Sequence, residues 1–318
     1  MDALWLVAGA TLFPGATFIV ALGLALEAYE RKLRARMQSR MGPSYWGPLG
    51  LLQPLYDVLK LLSKEDLAPR GLDMVVAGAA LVWALALACF VSLLVPWAGK
   101  AFIGFPGDAV VAVACLSLGI GLLYLAAYTG RSPYPVLGGL RLLGLLASYD
   151  AVLASSLLVA YAVSGSSSVS GMARGLWEGL SSRPWLIPVW LIALALGFIA
   201  LLAEAEKNPF TAPEAEQEVA GGYLAEMSGR RLAFARLVNR VHAAAATGVY
   251  VSALLGLPRS QGLPGLAETL AAVLAVYTLV VVVDAATARL RLRDLEEIAW
   301  TRLVPAALLA AAVALAAP

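Results

Sequence analysis

Apolar runs long enough to cross a bilayer recur along the chain, separated by shorter polar stretches. A spanning helix needs about 20 mostly apolar residues. Eight runs meet or approach that length, at about 3–26, 74–97, 109–128, 142–164, 185–203, 241–257, 265–288 and 303–317. Runs 241–257 and 303–317 are the shortest. The abundance of Ala and Gly suits helices that pack closely in lipid. The first run is long, has no basic residue ahead of it and lacks a cleavage context, so it is expected to be a retained span and not a signal peptide. Residues 51–62 are too few to span. There Leu51, Leu55, Val58, Leu59 and Leu62 fall at helical spacing, with Asp57 and Lys60 off the stripe. That pattern predicts an amphipathic helix lying in the membrane interface. The fold class expected is all-α: a polytopic integral membrane protein of about eight transmembrane helices, forming a single membrane domain over residues 1–318.

Composition removes the competing classes. Of 318 residues 61 % are hydrophobic and 14 % charged, with a mean hydropathy of +0.81. Soluble domains run roughly 45–50 % apolar and about 25 % charged, so a soluble enzyme is excluded. A disordered chain would need few apolar residues and many like charges. The net charge of +2 implies no nucleic-acid partner.

The placement of the charges gives sidedness. Nineteen of the 23 basic residues fall in the odd-numbered loops and only Lys100, Arg174, Arg183 and Arg259 in the even-numbered ones. By the positive-inside rule the odd loops are cytoplasmic and both termini lie outside. The cytoplasmic loops are then about 27–73, 129–141, 204–240 and 289–302, and the location is the cell membrane, crossed many times. Fifteen of the 21 acidic residues share that side. Anionic lipid would not recruit glutamate, so this mixed-charge face reads as a docking surface for partner subunits.

The candidate chemistry is narrow. Cys89 and Cys115 lie inside apolar runs and read as small core residues. One histidine, His242, is too few for a His-based metal site or a Ser-His-Asp triad, and it reads as a rim residue; no metal ligands and no catalytic residues are assigned. Carboxylates remain. Six glutamates (Glu204, Glu206, Glu214, Glu216, Glu218 and Glu226) crowd one loop around Pro209 and Pro213. Glu214 and Glu218, four apart, share a face of a helix expected to start near Glu214. A solvated acidic loop is one reading. The interleaved Phe210, Tyr223, Leu224 and Met227 favour a partly buried loop whose carboxylates share protons. Asp150 lies deep in the fourth span beside Tyr149, and an ionisable group at that depth faces a bundle interior or water. It is the best proton-relay candidate. Asp284, nearer the rim, suits a snorkelling or Arg-paired structural role.

Three segments carry a resemblance. ERKLRARMQSRMGPSYWGPLGLLQPLYDVLKLLSKE, LRLLGLLASYD and AEAEKNPFTAPEAEQEVAGGYLAEMSG resemble, in order, the first cytoplasmic loop, the fourth-span segment and the acidic signature loop of the H-type membrane subunits of respiratory complex I. The resemblance covers nearly the whole chain. It implies a membrane-arm anchor of a redox-driven proton (ion) pump, joining the hydrophilic electron-transfer arm to antiporter-like membrane subunits, with no catalysis by this chain alone. Arg36, Gln38, Arg40, Gly42 and Pro43 match the first-loop motif near the quinone cavity. Asp150, Glu204, Glu214, Glu216, Glu218 and Glu226 match positions of the proton path, with Tyr149, Lys207, Pro209, Phe210 and Pro213 supporting them. The resemblance implies no cofactor bound by this chain, quinone as a candidate ligand, and iron–sulfur clusters in partner subunits.

There are departures from the family's pattern. Lys207 stands where Arg is usual, Thr211 where Asp is usual, Met227 where Tyr is usual, and Asp150 replaces Glu. SPYPVLGG, residues 132–139, resembles the related subunit of membrane-bound, energy-converting NiFe hydrogenases. That leaves an alternative: the same role in a NiFe hydrogenase or sulfur-reducing complex, with NiFe in a partner and no quinone. A stand-alone secondary transporter is a remote third reading, because its broken helices, midplane charges and inverted repeats are not evident.

Overall fold

The computed structural model describes residues 3–69, 71–130, 132–214 and 221–316. Its helices are α1 (Ala3–Thr11), α2 (Ala16–Met37), α3 (Gln53–Ser63), α4 (Met74–Leu94), α5 (Asp108–Tyr128), α6 (Pro133–Ser164), α7 (Val169–Ser182), α8 (Ile187–Glu204), α9 (Gly229–Leu254), α10 (Leu263–Ala286), α11 (Leu292–Ile298) and α12 (Val304–Ala316). Among the described residues there is no strand. Seven helical segments are long and apolar enough to cross a membrane. The run expected as the sixth span lies in α9, 26 residues long, which is not among those seven; its first half carries Arg230, Arg231, Arg236 and Arg240.

The helices start and stop for local reasons. Asp73 accepts the Val75 and Val76 amides, each at 3.1 Å, and so caps α4. Pro133 opens α6, where a missing N–H costs nothing, and Gly165 closes it with φ +70°, a conformation open to glycine at little cost. Two expectations need correcting. The run at 3–26 is not one helix: Pro14 and Gly15 separate α1 from α2. Beyond that run α2 continues to Met37, and Ser39 follows in the left-handed region. The last run is not short, because α11 leads through a π turn into α12. The amphipathic α7, between the fourth and fifth expected spans, was not anticipated.

Helix α9 lies at the centre of the bundle, packed by α2, α4, α7, α8 and α10. Nearly every residue of its second half is buried. Small residues allow this: Gly23 of α2 sits so close to α9 that a Cβ there would lie 3.0 Å from the Arg240 carbonyl oxygen. α3 lies across α2 and α9 with Val58 inward and Leu55 and Leu59 exposed. An uncovered leucine stripe on a short helix fits the interfacial position expected from its pattern.

Candidate functional site: a charged cavity and a buried carboxyl pair

Polar side chains from α2, α9, α10 and the loop after α8 enclose a cavity of about 580 Å³. α2 supplies Glu27, Glu30, Arg31 and Arg34, which share one face because they fall at i, i+3, i+4 and i+7. Glu30 is buried and fully engaged. Arg34 and Lys207 both donate to its Oε1 at 2.7 Å, and Tyr277 donates to Oε2 at 2.8 Å. Arg34 also pairs with Asp284, whose Oδ1 accepts the Asn208 amide at 3.0 Å. Asp284 thus has the Arg-paired role expected of it. Glu27 pairs with Arg240 and with Arg31.

Arg31 reaches further, to Asp57 on α3 at 2.6 Å, and Gln53 donates to the same carboxylate at 3.0 Å. Burial pushes the Asp57 carboxyl up. The hydrogen bonds from Arg31 and Gln53 and the guanidinium charge outweigh it and hold the group below its ordinary value.

The loop after α8 is held from three sides. Tyr223, itself buried, donates to Glu206 at 2.8 Å and accepts from Asn239 at 2.6 Å. Gly138 of α6 lets the backbone at Tyr223 approach, since a Cβ there would lie 2.4 Å from the Tyr223 nitrogen. Phe210 is buried edge-on against Tyr149, with ring centroids 4.6 Å apart. Pro213 is also buried, and the Pro209 carbonyl accepts the Leu290 amide at 3.3 Å.

Behind the cavity, at bundle depth, lies a second group. Asp150 of α6 and Glu204, the last residue of α8, bring their carboxyl groups within interaction distance. His242 Nε2 lies 2.7 Å from Glu204 Oε2. Ser117 of α5 hydrogen-bonds to Asp150 Oδ2, while Asp150 Oδ1 is buried with no donor on it. Among the described residues neither carboxyl pairs with a lysine or arginine. Ser117 owns one proton and also reaches the Val113 carbonyl at 3.0 Å. When that proton points to Val113, the bond to Asp150 needs a proton from the carboxyl itself.

The structure therefore joins Asp150 and Glu204, and adds His242, which the sequence pattern had left at the rim. It is 3 % exposed. The remaining expected site residues are distributed otherwise. Tyr149 packs on Phe210 and donates to the Leu295 carbonyl at 3.1 Å, so its hydroxyl is not a partner of Asp150. Glu226 lines a separate small pocket with Arg231, and its Oε2 is buried with no partner among the described residues. Glu216, Glu218, the side chain of Glu214 and the helix expected to start near Glu214 lie outside the described residues; just before them Ala212–Glu214 form a 3-10 turn. Arg36, Gln38, Arg40, Gly42 and Pro43 follow the end of α2 or sit in its last turn, and none lines the cavity. The α2 residues that do line it are Glu27, Glu30, Arg31 and Arg34, one to two turns earlier. Their spacing was the available signal.

The family model described as NADH dehydrogenase matches residues 11–315. The chain belongs to the NADH dehydrogenase family. Among its relatives, the H subunit of the NADH-quinone oxidoreductase of Thermomicrobium roseum is 35 % identical over 310 residues, covering 91 % of this chain and 90 % of the relative. The corresponding H subunit of Brevibacillus brevis is 31 % identical and covers 96 % of this chain and 90 % of the relative. A chain of the membrane-bound sulfane sulfur reductase, an archaeal respiratory membrane complex, superposes with a TM-score of 0.80 at 20 % identity, covering 94 % of this chain and 96 % of that one. NADH dehydrogenase family membership and the helical architecture together make this a multi-pass membrane protein whose relatives are subunits of multi-subunit respiratory complexes. Among the described residues no three His, Cys, Asp or Glu side chains gather as metal ligands.

Proposed function

We propose that this chain is the membrane-arm anchor of a complex-I-like, redox-driven ion pump, with eight spans, both termini outside and its charged loops on the cytoplasmic side. The observation that supports it most is the Asp150–Glu204 pair beside His242. Two carboxyls held together in a low-dielectric bundle, with no fixed cation on either, cannot both carry a charge at reasonable cost. Such a pair holds at least one proton and releases it when a nearby charge changes. The cavity supplies that charge, since Glu206 and Lys207 on its wall follow Glu204 by two and three residues. Hydrophilic redox subunits dock on the loop face, and antiporter-like membrane subunits continue the proton path.

The test is proton translocation by the assembled complex in liposomes. Asp150→Asn and Glu204→Gln each lower it at least about tenfold, toward the usual scale for a group that transfers protons, while the complex still assembles. Unchanged translocation in both would refute the reading.

A second reading keeps the same proton path in a NiFe hydrogenase or sulfur-reducing complex with no quinone. The cavity favours it: five basic and three acidic side chains line the space, whereas ligand pockets for apolar molecules are lined mainly by hydrophobic and aromatic groups. In the quinone-reducing reading, Arg34, Lys207 and Arg240 are the cavity donors with N–H groups to offer quinone oxygens. Hydrogen or sulfide production by the purified complex, set against quinone reduction, separates the two.

A further inference from the structure

The even-loop face, poor in charge, has four basic residues, and they divide into two kinds. Arg183 closes the end of α6 by donating to the Ala162 and Val163 carbonyls at 3.2 and 3.0 Å. Arg259 lies 4.2 Å over the Trp177 ring. Lys100 and Arg174 are different. Both line one cavity of about 690 Å³, and among the described residues neither pairs with a carboxylate. Arg174 donates only within its own helix, to Ser170 O at 3.1 Å and Ser170 Oγ at 3.4 Å. Half of the cations on this face thus converge on a single open space without counter-ions.

The rest of the wall says what fits there. Hydroxyls of Ser166, Ser167, Ser168 and Ser170 supply further donors and acceptors, and Phe105 adds an aromatic edge. The N-terminus of α7 is not the binding element, because it is already neutralised. Asp108 Oδ1 accepts the Val169 amide at 2.6 Å, and Ser168 Oγ accepts the Gly171 amide at 3.1 Å. Asp108 itself is fully buried, and its second oxygen takes the Phe105 amide. An incoming anion would meet the two side-chain cations and the serines.

The cavity is formed by the segment after α4, the start of α5, the end of α6 and the start of α7. Membrane helices emerge at such points, at headgroup depth, where aromatic side chains concentrate. We propose that Lys100 and Arg174 bind the phosphodiester headgroup of an anionic lipid in this cavity. The site is separate from the cytoplasmic charged cavity and independent of the pumping role.

The test uses the full chain in its complex, delipidated in detergent and then titrated with phosphatidylglycerol, phosphatidylcholine or inorganic phosphate, with retained lipid counted by native mass spectrometry. Each basic residue near an anionic membrane surface contributes about 1 kcal/mol, roughly a fivefold change in affinity. The double variant K100Q/R174Q is therefore expected to bind phosphatidylglycerol roughly 25-fold more weakly than the wild type. Phosphatidylcholine should bind the two equally. R183Q removes a cation committed to the α6 carbonyls and should lower thermal stability while leaving the phosphatidylglycerol preference intact. Equal phosphatidylglycerol binding by wild type and double variant overturns the proposal. Inorganic phosphate displacing the lipid completely at equal concentration would overturn the lipid assignment in favour of a free anion.

Discussion

Glu30 and Glu204 are both buried glutamates on membrane helices, and the protein treats them in opposite ways. Glu30 is surrounded by Arg34, Lys207 and the Tyr277 hydroxyl. Its negative charge is balanced by fixed positive charge, so it ties α2 to α10 and to the loop after α8. Glu204 has His242 on one oxygen and Asp150 nearby, with no fixed cation. The first arrangement is electrostatically finished. The second can be completed only by a proton, which is the one positive charge able to arrive and leave. Charge balance thus separates a structural carboxylate from one suited to proton handling, although the two lie in the same bundle.

Substitution should break this contrast in opposite senses. Glu30→Gln leaves Lys207 and Arg34, 21 % and 34 % accessible, against a neutral buried group, although Arg34 keeps Asp284. Breaking one side of a buried ion pair costs about 3–5 kcal/mol, so thermal unfolding of the purified complex should shift sharply downward, with weak assembly. Asp150→Asn removes a buried carboxyl that has no cation. Its thermal midpoint should stay near the wild type while proton translocation is lost. If Asp150→Asn destabilises the complex as much as Glu30→Gln does, the distinction between the two sites fails.

His242 sharpens the comparison at intermediate size. It is a positioning residue, holding Oε2 of Glu204 beside Asp150. His242→Gln keeps a side-chain donor and should retain more translocation than His242→Ala, with the pH profile of translocation altered in both. Profiles identical to the wild type would reduce the contact to packing. A smaller effect is expected at Tyr223→Phe, which removes the donor to Glu206. One neutral hydrogen bond to a charged group contributes about 1.5–3 kcal/mol when buried. Partial access to the cavity places this case at the lower end, measured as faster hydrogen exchange in the loop around residue 206.

Much of this was legible in the sequence, and the parts that were not share a cause. Apolar runs located the helices, because a span must be apolar throughout and needs no tertiary information. Asp150 and Glu204 stood out individually as charges at or near membrane depth. Their meeting, 54 positions apart, depends on how α6 packs against α8, which no local pattern encodes. His242 was placed at the rim because it follows Arg240. The structure instead turns it inward, since residues two apart on a helix point to nearly opposite sides. The α2 face of Glu27, Glu30, Arg31 and Arg34 was visible as spacing. It was passed over because charged residues after a span ordinarily read as a solvated extension.

The weakest link in the charged network gives the finest test of the same logic. Asp57 ties α3 to Arg31, and its carboxyl is held below the ordinary carboxylate range. A depressed carboxyl contributes stability above its unfolded value, near pH ~4, and loses that contribution as pH falls through its folded value. The pair is partly exposed, with the two side chains 31 % and 28 % accessible, so screening limits it to less than about 1 kcal/mol. Hydrogen exchange over α3 should be slower in the wild type than in Asp57→Asn at neutral pH, by less than about fivefold. The two should converge as pH drops below about 4, because protonation and the substitution remove the same charge. A difference that persists unchanged at the acid end would mean that Asp57 holds α3 by shape and not by charge, which would place it with neither the Glu30 type nor the Glu204 type.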